Sequence, residues 1–243
     1  MNKAINQETT GIAFQDAPAA AQLPVWRLLA FTTAGFIAIL TETMPAGLLP
    51  QIGKDFGISE AMSGQLVSLY AFGSVVAAIP IIAATRSWRR KHALLLAVGG
   101  LLLFNTITAL ATNYFLTLSA RFFAGMAAAL TWGLLAGYAR RMVPYHLQGR
   151  ALAIVGVGQP IALSLGVPLG TWLGTLFDWR VIFGMISILA LALFLWILAA
   201  VPDYPGQAHH QRQPIHKVFV IPGVRPVLFV VLVWILAHNI LYT

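Results

Sequence analysis

The chain has 243 residues, of which 59% are hydrophobic and only 9% are charged, and its mean hydropathy is +0.81. A water-soluble protein cannot cover its surface with that composition, so the soluble classes of protein are excluded. The sequence contains no cysteine, which excludes disulfides and thiolate chemistry. Membrane topology, rather than a nucleic-acid partner, accounts for the net charge of +8, as the distribution of basic residues below indicates.

Residues 1–24 are predicted to be a cytoplasmic tail, because they lack the apolar centre of a signal peptide. Six long apolar stretches follow this tail. A run of about 20 apolar residues can satisfy its backbone hydrogen bonds in lipid as a helix, and at about 1.5 Å per residue it crosses the hydrocarbon core. The sequence therefore predicts an all-α membrane protein with a six-helix bundle over 25–201, its spans at 25–49, 60–84, 93–112, 114–138, 151–175 and 181–201.

The remainder of the chain is predicted to be a cytoplasmic linker, 202–225, and an incomplete seventh membrane helix, 226–243. A helix that stops within the bilayer leaves its last carbonyls unpaired, so we expect the chain to be truncated. The linker contains three histidines without cysteines or nearby carboxylates in metal-ligand spacing. We interpret these histidines as part of a solvated segment, and we predict neither a metal nor a cofactor: His209, His210 and His216.

The fifteen Lys and Arg residues are distributed unevenly between the predicted loops. With the N-terminus in the cytoplasm, only Lys54 and Arg180 fall outside, and Arg121 falls within a span. The other twelve lie on the cytoplasmic side, which is a strong positive-inside bias. They are Lys3, Arg27, Arg86, Arg89, Arg90, Lys91, Arg140, Arg141, Arg150, Arg212, Lys217 and Arg225. The cluster Arg86, Arg89, Arg90 and Lys91 is explained as a topology signal, and a role in a cytoplasmic gate is the alternative.

Two ionisable residues, Glu42 and Arg121, lie deep in predicted spans. A charge at such a depth is costly unless it is paired or hydrated, and it is a functional candidate by default. Each lies about 10 Å from the same face of the membrane, so the two can pair. They form a structural ion pair, or they are two snorkelling side chains, or they form a proton-coupling site in which the fixed cation tunes the protonation of the carboxylate.

The fifth predicted span carries a second unusual pattern. A step of four residues turns a helix by about 400°, so small residues at that spacing form one stripe where another helix can approach closely. Prolines within the same span remove backbone donors and favour kinks. The pattern indicates tight packing, a bending seam, or both: Gly158, Pro160, Ala162, Gly166, Pro168, Gly170 and Gly174.

A few uncharged polar or aromatic side chains also fall within the spans, where they either bond between helices or line a substrate cavity. The cavity candidates are Gln65, Tyr70, Asn105, Trp132 and Gln159.

Residues 42–52, ETMPAGLLPQI, resemble the first-helix motif of the drug:H+ antiporter branch of the major facilitator superfamily, and more closely its bacterial sugar-efflux and purine-nucleoside-efflux relatives. Other segments are similar to family patterns in the right order: RFFAGMAAA (121–129), LGVPLGTWLG (165–174), DWRVIF (178–183) and HNILYT (238–243). Two departures stand out. Ala84 and Thr85 occupy the place of a usual acidic residue, and Val167 separates Gly166 from Pro168 in a motif that usually contains Gly-Pro.

The resemblance implies a twelve-helix transporter of two six-helix halves, each a 3+3 inverted repeat, with the substrate site between the halves. It implies a proton-coupled exporter of a small organic solute or drug in the bacterial inner membrane, with lipid, substrate, protons and a missing C-terminal half as partners. The alternative is a non-transporting membrane fragment or a half-transporter that needs a partner chain. An enzyme is not expected, because the spans offer no paired Asp, Ser–His arrangement or metal cluster.

Overall fold

The computed structural model describes residues 23–207, 221 and 223–241. Within those residues the secondary structure is helical: α1 (Val25–Phe56), α2 (Glu60–Thr85), α3 (Arg90–Leu110), α4 (Tyr114–Arg141), α5 (Tyr145–Leu176), α6 (Trp179–Ala200) and α7 (Val224–Leu241). The first six are long and apolar enough to cross a membrane, which confirms the predicted all-α fold with six spans. The three linker histidines and most of the N-terminal tail lie outside the described residues.

Two helices extend well beyond their predicted spans. α1 continues through Pro50 to Phe56 instead of ending at residue 49, because a proline removes one backbone bond but leaves the following turns intact. The helix ends at Gly57, whose φ of 64° lies in the left-handed region that suits glycine. α5 begins at Tyr145 instead of 151, because a polar first turn extends the helix beyond its apolar stretch.

Short connections at the predicted outer end carry the caps of the helices that follow them. The Oγ of Ser59 accepts a hydrogen bond from the Met62 N–H at 3.3 Å, and the Oδ1 of Asn113 accepts from the Leu116 N–H at 2.8 Å. The Oδ1 of Asp178 accepts from the Arg180 N–H at 2.8 Å. Such caps satisfy donors that a helix leaves unpaired at its start, and they fix where α2, α4 and α6 begin.

The other four spans of the bundle pack around α1 and α4. α4 lies against both α2 and α3, α6 packs against α3, and α1 contacts α2, α4, α5 and α6. α1 and α4 are accordingly the spans with the largest buried share. Both deep ionisable residues are therefore on the two helices that form the centre of the bundle.

Candidate functional site

Arg121 on α4 is held inside the bundle by three other helices, and it is only 1% exposed. Its Nη2 donates to the Thr41 carbonyl oxygen of α1 at 2.5 Å, and its Nε donates to the Leu66 carbonyl oxygen of α2 at 3.4 Å. The guanidinium carbon lies 4.6 Å from the ring centre of Tyr70 and 5.7 Å from that of Phe183. A desolvated cation–π contact contributes about 2 kcal/mol. Carbonyl oxygens and aromatic faces thus stabilise this buried charge.

Glu42 follows Thr41 on α1 and is half-buried. Its charge is close enough to interact with that of Arg121, but no direct ion pair joins the two in the part of the chain that the structure describes. The Nη1 of Arg121 is buried and has no hydrogen-bond partner among the described residues. A buried donor without a partner is costly. The Nη1 of Arg121 is therefore a free donor near the Glu42 carboxyl group.

Tyr70 and Asn105, two of the predicted cavity residues, lie inside the bundle, at 1% and 0% exposure. The Asn105 Nδ2 donates to the Thr41 Oγ1 at 2.9 Å, and the Tyr70 hydroxyl donates to the Ala38 carbonyl oxygen at 3.2 Å. Both side chains therefore bond to α1 within one turn of Glu42. Tyr70 also lies against the Arg121 guanidinium, and Asn105 bonds to Thr41, whose carbonyl oxygen Arg121 contacts.

The other three predicted cavity residues reach the surface of the bundle. The Gln65 Oε1 accepts a hydrogen bond from the Tyr114 hydroxyl at 2.8 Å. Trp132 is 38% exposed and its ring lies against the glycine at position 35 of α1. Gln159 on α5 is half-buried. Tyr70 and Asn105 thus lie inside the bundle, whereas Gln65, Trp132 and Gln159 are exposed or half-buried.

A tight crossing of α2 and α4 lies one turn from Arg121. A Cβ added to Gly125 would collide with the Tyr70 carbonyl oxygen and would lie 3.0 Å from the Ser74 nitrogen. A Cβ added to Gly73 would collide with the Phe122 backbone in the same way. The two backbones touch, which places the Tyr70 ring beneath the guanidinium. Sequence reasoning included Gly125 in a motif but missed its partner Gly73, because a lone glycine in an apolar helix has no distinguishing spacing.

The small-residue stripe of α5 faces α1. A Cβ on any of its four glycines would meet an atom of a residue on α1, and those residues are also spaced four apart or eight apart. The facing pairs are Gly158 with Thr32, Gly166 with Leu40, Gly170 with Met44, and Gly174 with Leu48. Hydrogen bonds join the helices at both ends of the stripe: the Thr32 Oγ1 donates to the Ile154 carbonyl oxygen at 2.7 Å, and the Gln51 Nε2 donates to the Gly174 carbonyl oxygen at 2.6 Å.

The middle of α5 departs from regular α-helix. A π-helical turn occupies Ala162–Gly166, between Pro160 and Pro168. Proline lacks the N–H that closes a regular turn, and a wider turn redistributes the remaining bonds. The irregular turn lies at the centre of the stripe that packs on α1.

At the predicted cytoplasmic end, Asp203 supplies a carboxylate to the α2–α3 loop. Its carboxyl group pairs with the Arg89 side chain and accepts a hydrogen bond from the Lys91 N–H at 3.2 Å. Burial alone would raise the pKa of Asp203, but these hydrogen bonds and the charge of Arg89 hold that pKa below its ordinary value. Sequence reasoning missed this residue, since more than a hundred residues separate it from its partners.

At the opposite end, Arg180 joins three connections. Its Nη1 pairs with the Asp55 carboxylate at 2.5 Å, and its Nη2 donates to the Ala111 carbonyl oxygen at 3.1 Å. Its guanidinium also lies 4.4 Å from the ring centre of Trp179. This contact network, which the sequence did not predict, fixes the ends of α1, α3 and α6 together.

The family model described as Major Facilitator Superfamily matches residues 31–243. The purine ribonucleoside efflux pump NepI of Escherichia coli strain K12 is 30% identical over 203 residues, which cover 83% of this chain and 51% of that pump. The Shigella flexneri pump of the same name matches equally. The chain spans about half the length of the curated relatives it matches.

Solved structures share the fold at low identity. A D-xylose-proton symporter has a TM-score of 0.66 and 16% identity, with 76% of this chain and 49% of that chain covered. A peptide transporter, POT, in complex with sulfate has a TM-score of 0.65 and 13% identity, with 88% of this chain and 46% of that chain covered. Each of these proteins is about twice as long as the part that this chain matches.

Proposed function

We propose, from the premise that this chain belongs to the Major Facilitator Superfamily, that it supplies one half of a proton-coupled exporter of small organic molecules. The family comprises transporters rather than enzymes, and the chain is a multi-pass membrane protein. The observation that carries the proposal is the buried Arg121, which has an unpaired Nη1 and lies beside Glu42. Isolated charges at this depth are rare outside ion and substrate pathways.

Glu42 is the proton carrier in this proposal. When Glu42 is ionised, its carboxylate turns toward Arg121 and takes up the free Nη1 donor. When Glu42 is protonated, that attraction is lost and Arg121 keeps its bonds to the Thr41 and Leu66 carbonyl oxygens. The two protonation states therefore favour different positions of the α1 segment around Glu42, and substrate access follows that change.

The predicted cavity residues have two proposed roles: some position Arg121 and Thr41, and the others contact the substrate. Tyr70 and Asn105 position Arg121 and Thr41, because both are buried and bonded to α1. Gln65, Trp132 and Gln159 reach the surface, and we assign contact with the substrate to them. Aromatic and amide groups suit the rings and hydroxyl groups of a nucleoside, so purine ribonucleosides, which the pump NepI exports according to its name, are the first substrates to test.

The contact between α1 and α5 is the proposed moving seam. Small residues allow two helices to slide or rock at close range, and the π-helical turn gives α5 a place to bend. Glu42 lies on α1 between Leu40 and Met44, both of which face this stripe. A shift of α1 around Glu42 is thereby transmitted to α5.

Orientation and location follow from the charge distribution. We propose that the N-terminus and the loop with Arg86, Arg89, Arg90 and Lys91 lie in the cytoplasm of a bacterium, and that the protein resides in the inner membrane. The pairing of Arg89 with Asp203 ties that loop to the segment after α6, and we assign to it the closure of the cytoplasmic mouth.

A second half completes the substrate site in this proposal, because the relatives are about twice as long as the matched part. The alternative is a membrane protein that does not transport without a partner chain. The difference in length between this chain and its relatives agrees with both readings, and the transport experiment distinguishes them.

The test is transport in inverted membrane vesicles with an acidic interior, made from cells that express this chain together with the proposed second half. Labelled purine ribonucleosides should accumulate while the pH gradient is present and stop accumulating when a protonophore collapses it. Vesicles that contain only the 243-residue chain should show no accumulation. Accumulation that persists without the gradient would refute proton coupling, and gradient-driven accumulation by the 243-residue chain alone would refute the need for a second half.

A further inference from the structure

Trp132 on α4 rests against α1, yet it remains 38% exposed. A Cβ added to Gly35 of α1 would lie 3.5 Å from the Trp132 Cη2 and 3.7 Å from its Cζ3, which are ordinary van der Waals distances. The outer edge of the six-membered ring therefore touches α1, at a position where glycine leaves room for it. The contact holds one edge of the indole and leaves other parts of the ring accessible to a second molecule.

The position of Gly35 on α1 shows which side of the bundle the ring occupies. Gly35 and Glu42 are seven residues apart in the continuous helix α1, so they lie on one face, two turns and about 10 Å apart. Ionisable side chains within spans face the interior of a bundle or a water-filled cavity rather than lipid, so this face of α1 is turned away from lipid. The Trp132 ring lies on that same face, nearer the predicted cytoplasmic end, from which the substrate of an exporter arrives.

α5 meets α1 at the same level. A Cβ added to Gly158 would lie 3.1 Å from the backbone nitrogen of Phe36, so α5 packs on the turn of α1 that contains Gly35. Gln159 follows Gly158 and is half-buried. Within the ranges that the structure describes, neither the Gln159 amide nor the Trp132 indole N–H makes a hydrogen bond. An exposed aromatic ring and an amide without a protein partner thus lie at one level of the bundle.

These two groups suit a flat ring that carries nitrogen atoms. Bases stack on aromatic side chains through their faces, whatever the pattern of groups along their edges. A side-chain amide both donates and accepts hydrogen bonds, so it can bind the ring nitrogens and amino or carbonyl groups at such an edge. Trp132 and Gln159 are both uncharged, so the pair favours a neutral heterocycle over a charged group.

We propose that Trp132 is the platform on which the flat ring of the exported substrate stacks, and that Gln159 binds the edge of that ring. The inference rests on the proposed function, because it names the substrate class of that site: compounds that carry a planar nitrogen heterocycle. Trp132 is then the residue that selects such compounds, and its role differs from that of Glu42, which takes up the proton.

Equilibrium binding of labelled adenosine tests the proposal, with this chain and the proposed second half solubilised together in detergent. Unlabelled inosine should displace adenosine, whereas ribose, which lacks the heterocycle, should not. Accumulation driven by a pH gradient is measured separately in vesicles. Binding that depends on Trp132 without such accumulation would support the platform and contradict the proposed export. Accumulation together with binding that is indifferent to Trp132 would contradict the platform alone.

Substitutions at the two proposed contacts locate the effect. Trp132→Leu should weaken adenosine binding at least about fivefold, the lower end of the loss expected when a stacked base loses its aromatic partner. Trp132→Phe keeps a flat ring and should restore most of that loss. Gln159→Leu should weaken binding about twofold to tenfold, as expected for one hydrogen bond. The control is Trp172→Leu: this tryptophan of α5 is 57% exposed and lies about 20 Å beyond Gln159 along the helix, so its loss should leave binding unchanged.

A second pair of variants moves the ring without altering it. Gly35→Ala adds a methyl group at van der Waals distance from the indole and should bind adenosine normally. Gly35→Leu must displace the Trp132 ring from α1 and should weaken binding by a factor similar to that of Trp132→Leu. Equal affinity in the unmodified protein, Trp132→Leu and Gly35→Leu would overturn the proposal. Displacement of adenosine by ribose as effective as that by inosine, or no saturable binding of adenosine, would also overturn it.

Discussion

Gly125→Ala should separate α2 from α4 at the crossing that places Tyr70 beneath Arg121. The added Cβ would collide with the Tyr70 carbonyl oxygen and would lie 2.9 Å from its carbonyl carbon. Both are backbone atoms, so no flexible side chain can move aside. Overpacking of this kind costs about 1–3 kcal/mol, whereas alanine in place of glycine within a helix gains about 0.5–1 kcal/mol.

The matched control is Gly64→Ala within α2, where an added Cβ meets no atom within 4 Å. The control should gain stability by the helix preference alone, about 0.5–1 kcal/mol. Gly125→Ala should therefore be less stable than Gly64→Ala by the overpacking cost, about 1–3 kcal/mol. Unfolding of each variant in a titration with SDS, followed by far-ultraviolet circular dichroism, measures this difference. Equal midpoints for the two variants would refute the backbone contact between α2 and α4.

Substitutions at three further positions test other contacts. Arg121→Lys keeps the charge but loses the planar guanidinium that reaches two carbonyl oxygens at once. With the proposed second half present, Arg121→Lys should reduce export partially and Arg121→Ala should nearly abolish it. Normal export by both variants would show that Arg121 is dispensable. Gly166→Leu should destabilise the chain by about 1–3 kcal/mol in the same SDS titration, because its side chain would overlap the Leu40 and Phe36 side chains of α1. The control Gly184→Leu enters open space and should not destabilise the chain. Equal stability of the two variants would mean that the stripe is not a packing surface. Asp203 has a pKa below its ordinary value, so its contribution to stability is present above the unfolded pKa of about 3.9 and is lost as the pH falls through the lower folded value. Asp203→Asn should therefore lower the stability at neutral pH and make it less dependent on acid. An unchanged dependence of stability on pH would contradict the pairing of Asp203 with Arg89.

The six spans could be predicted because the signal for each is local. An apolar run of sufficient length has one stable structure in lipid, whatever its neighbours are. The end of α1 could not be predicted from Pro50, because the backbone bonds beyond it, and the left-handed Gly57, decide where the helix stops. Helix ends depend on such individual contacts rather than on composition.

The candidate site was predictable only in part. Glu42 and Arg121 stand out because charges are rare in apolar helices, but the partners of Arg121 are the carbonyl oxygens of Thr41 and Leu66. Every residue has a carbonyl group, so such acceptors leave no trace in the sequence. Asp203 and Arg89 meet because the ends of α3 and α6 meet, and that proximity is a property of the packed bundle.

Tyr70 and Asn105 illustrate a further limit. Their polar groups suggested a cavity, and in the structure both are buried against α1. Polarity within a span indicates that a side chain needs a partner, and it does not indicate whether that partner is another helix or a substrate. Whether a side chain faces another helix or a substrate depends on the rotation of its helix about the helix axis, and the packed fold determines that rotation.

Proton coupling through Glu42 is the central claim, and one transport measurement tests it most directly. Export driven by a pH gradient is measured for this chain together with the proposed second half. The unmodified sequence is compared with Glu42→Gln and with the control Glu60→Gln, whose carboxylate is exposed at the start of α2. Glutamine preserves size and hydrogen bonding but cannot take up a proton. The account predicts that Glu42→Gln folds and retains substrate binding but no longer exports against a concentration gradient, whereas Glu60→Gln exports normally. Undiminished gradient-driven export by Glu42→Gln would contradict it.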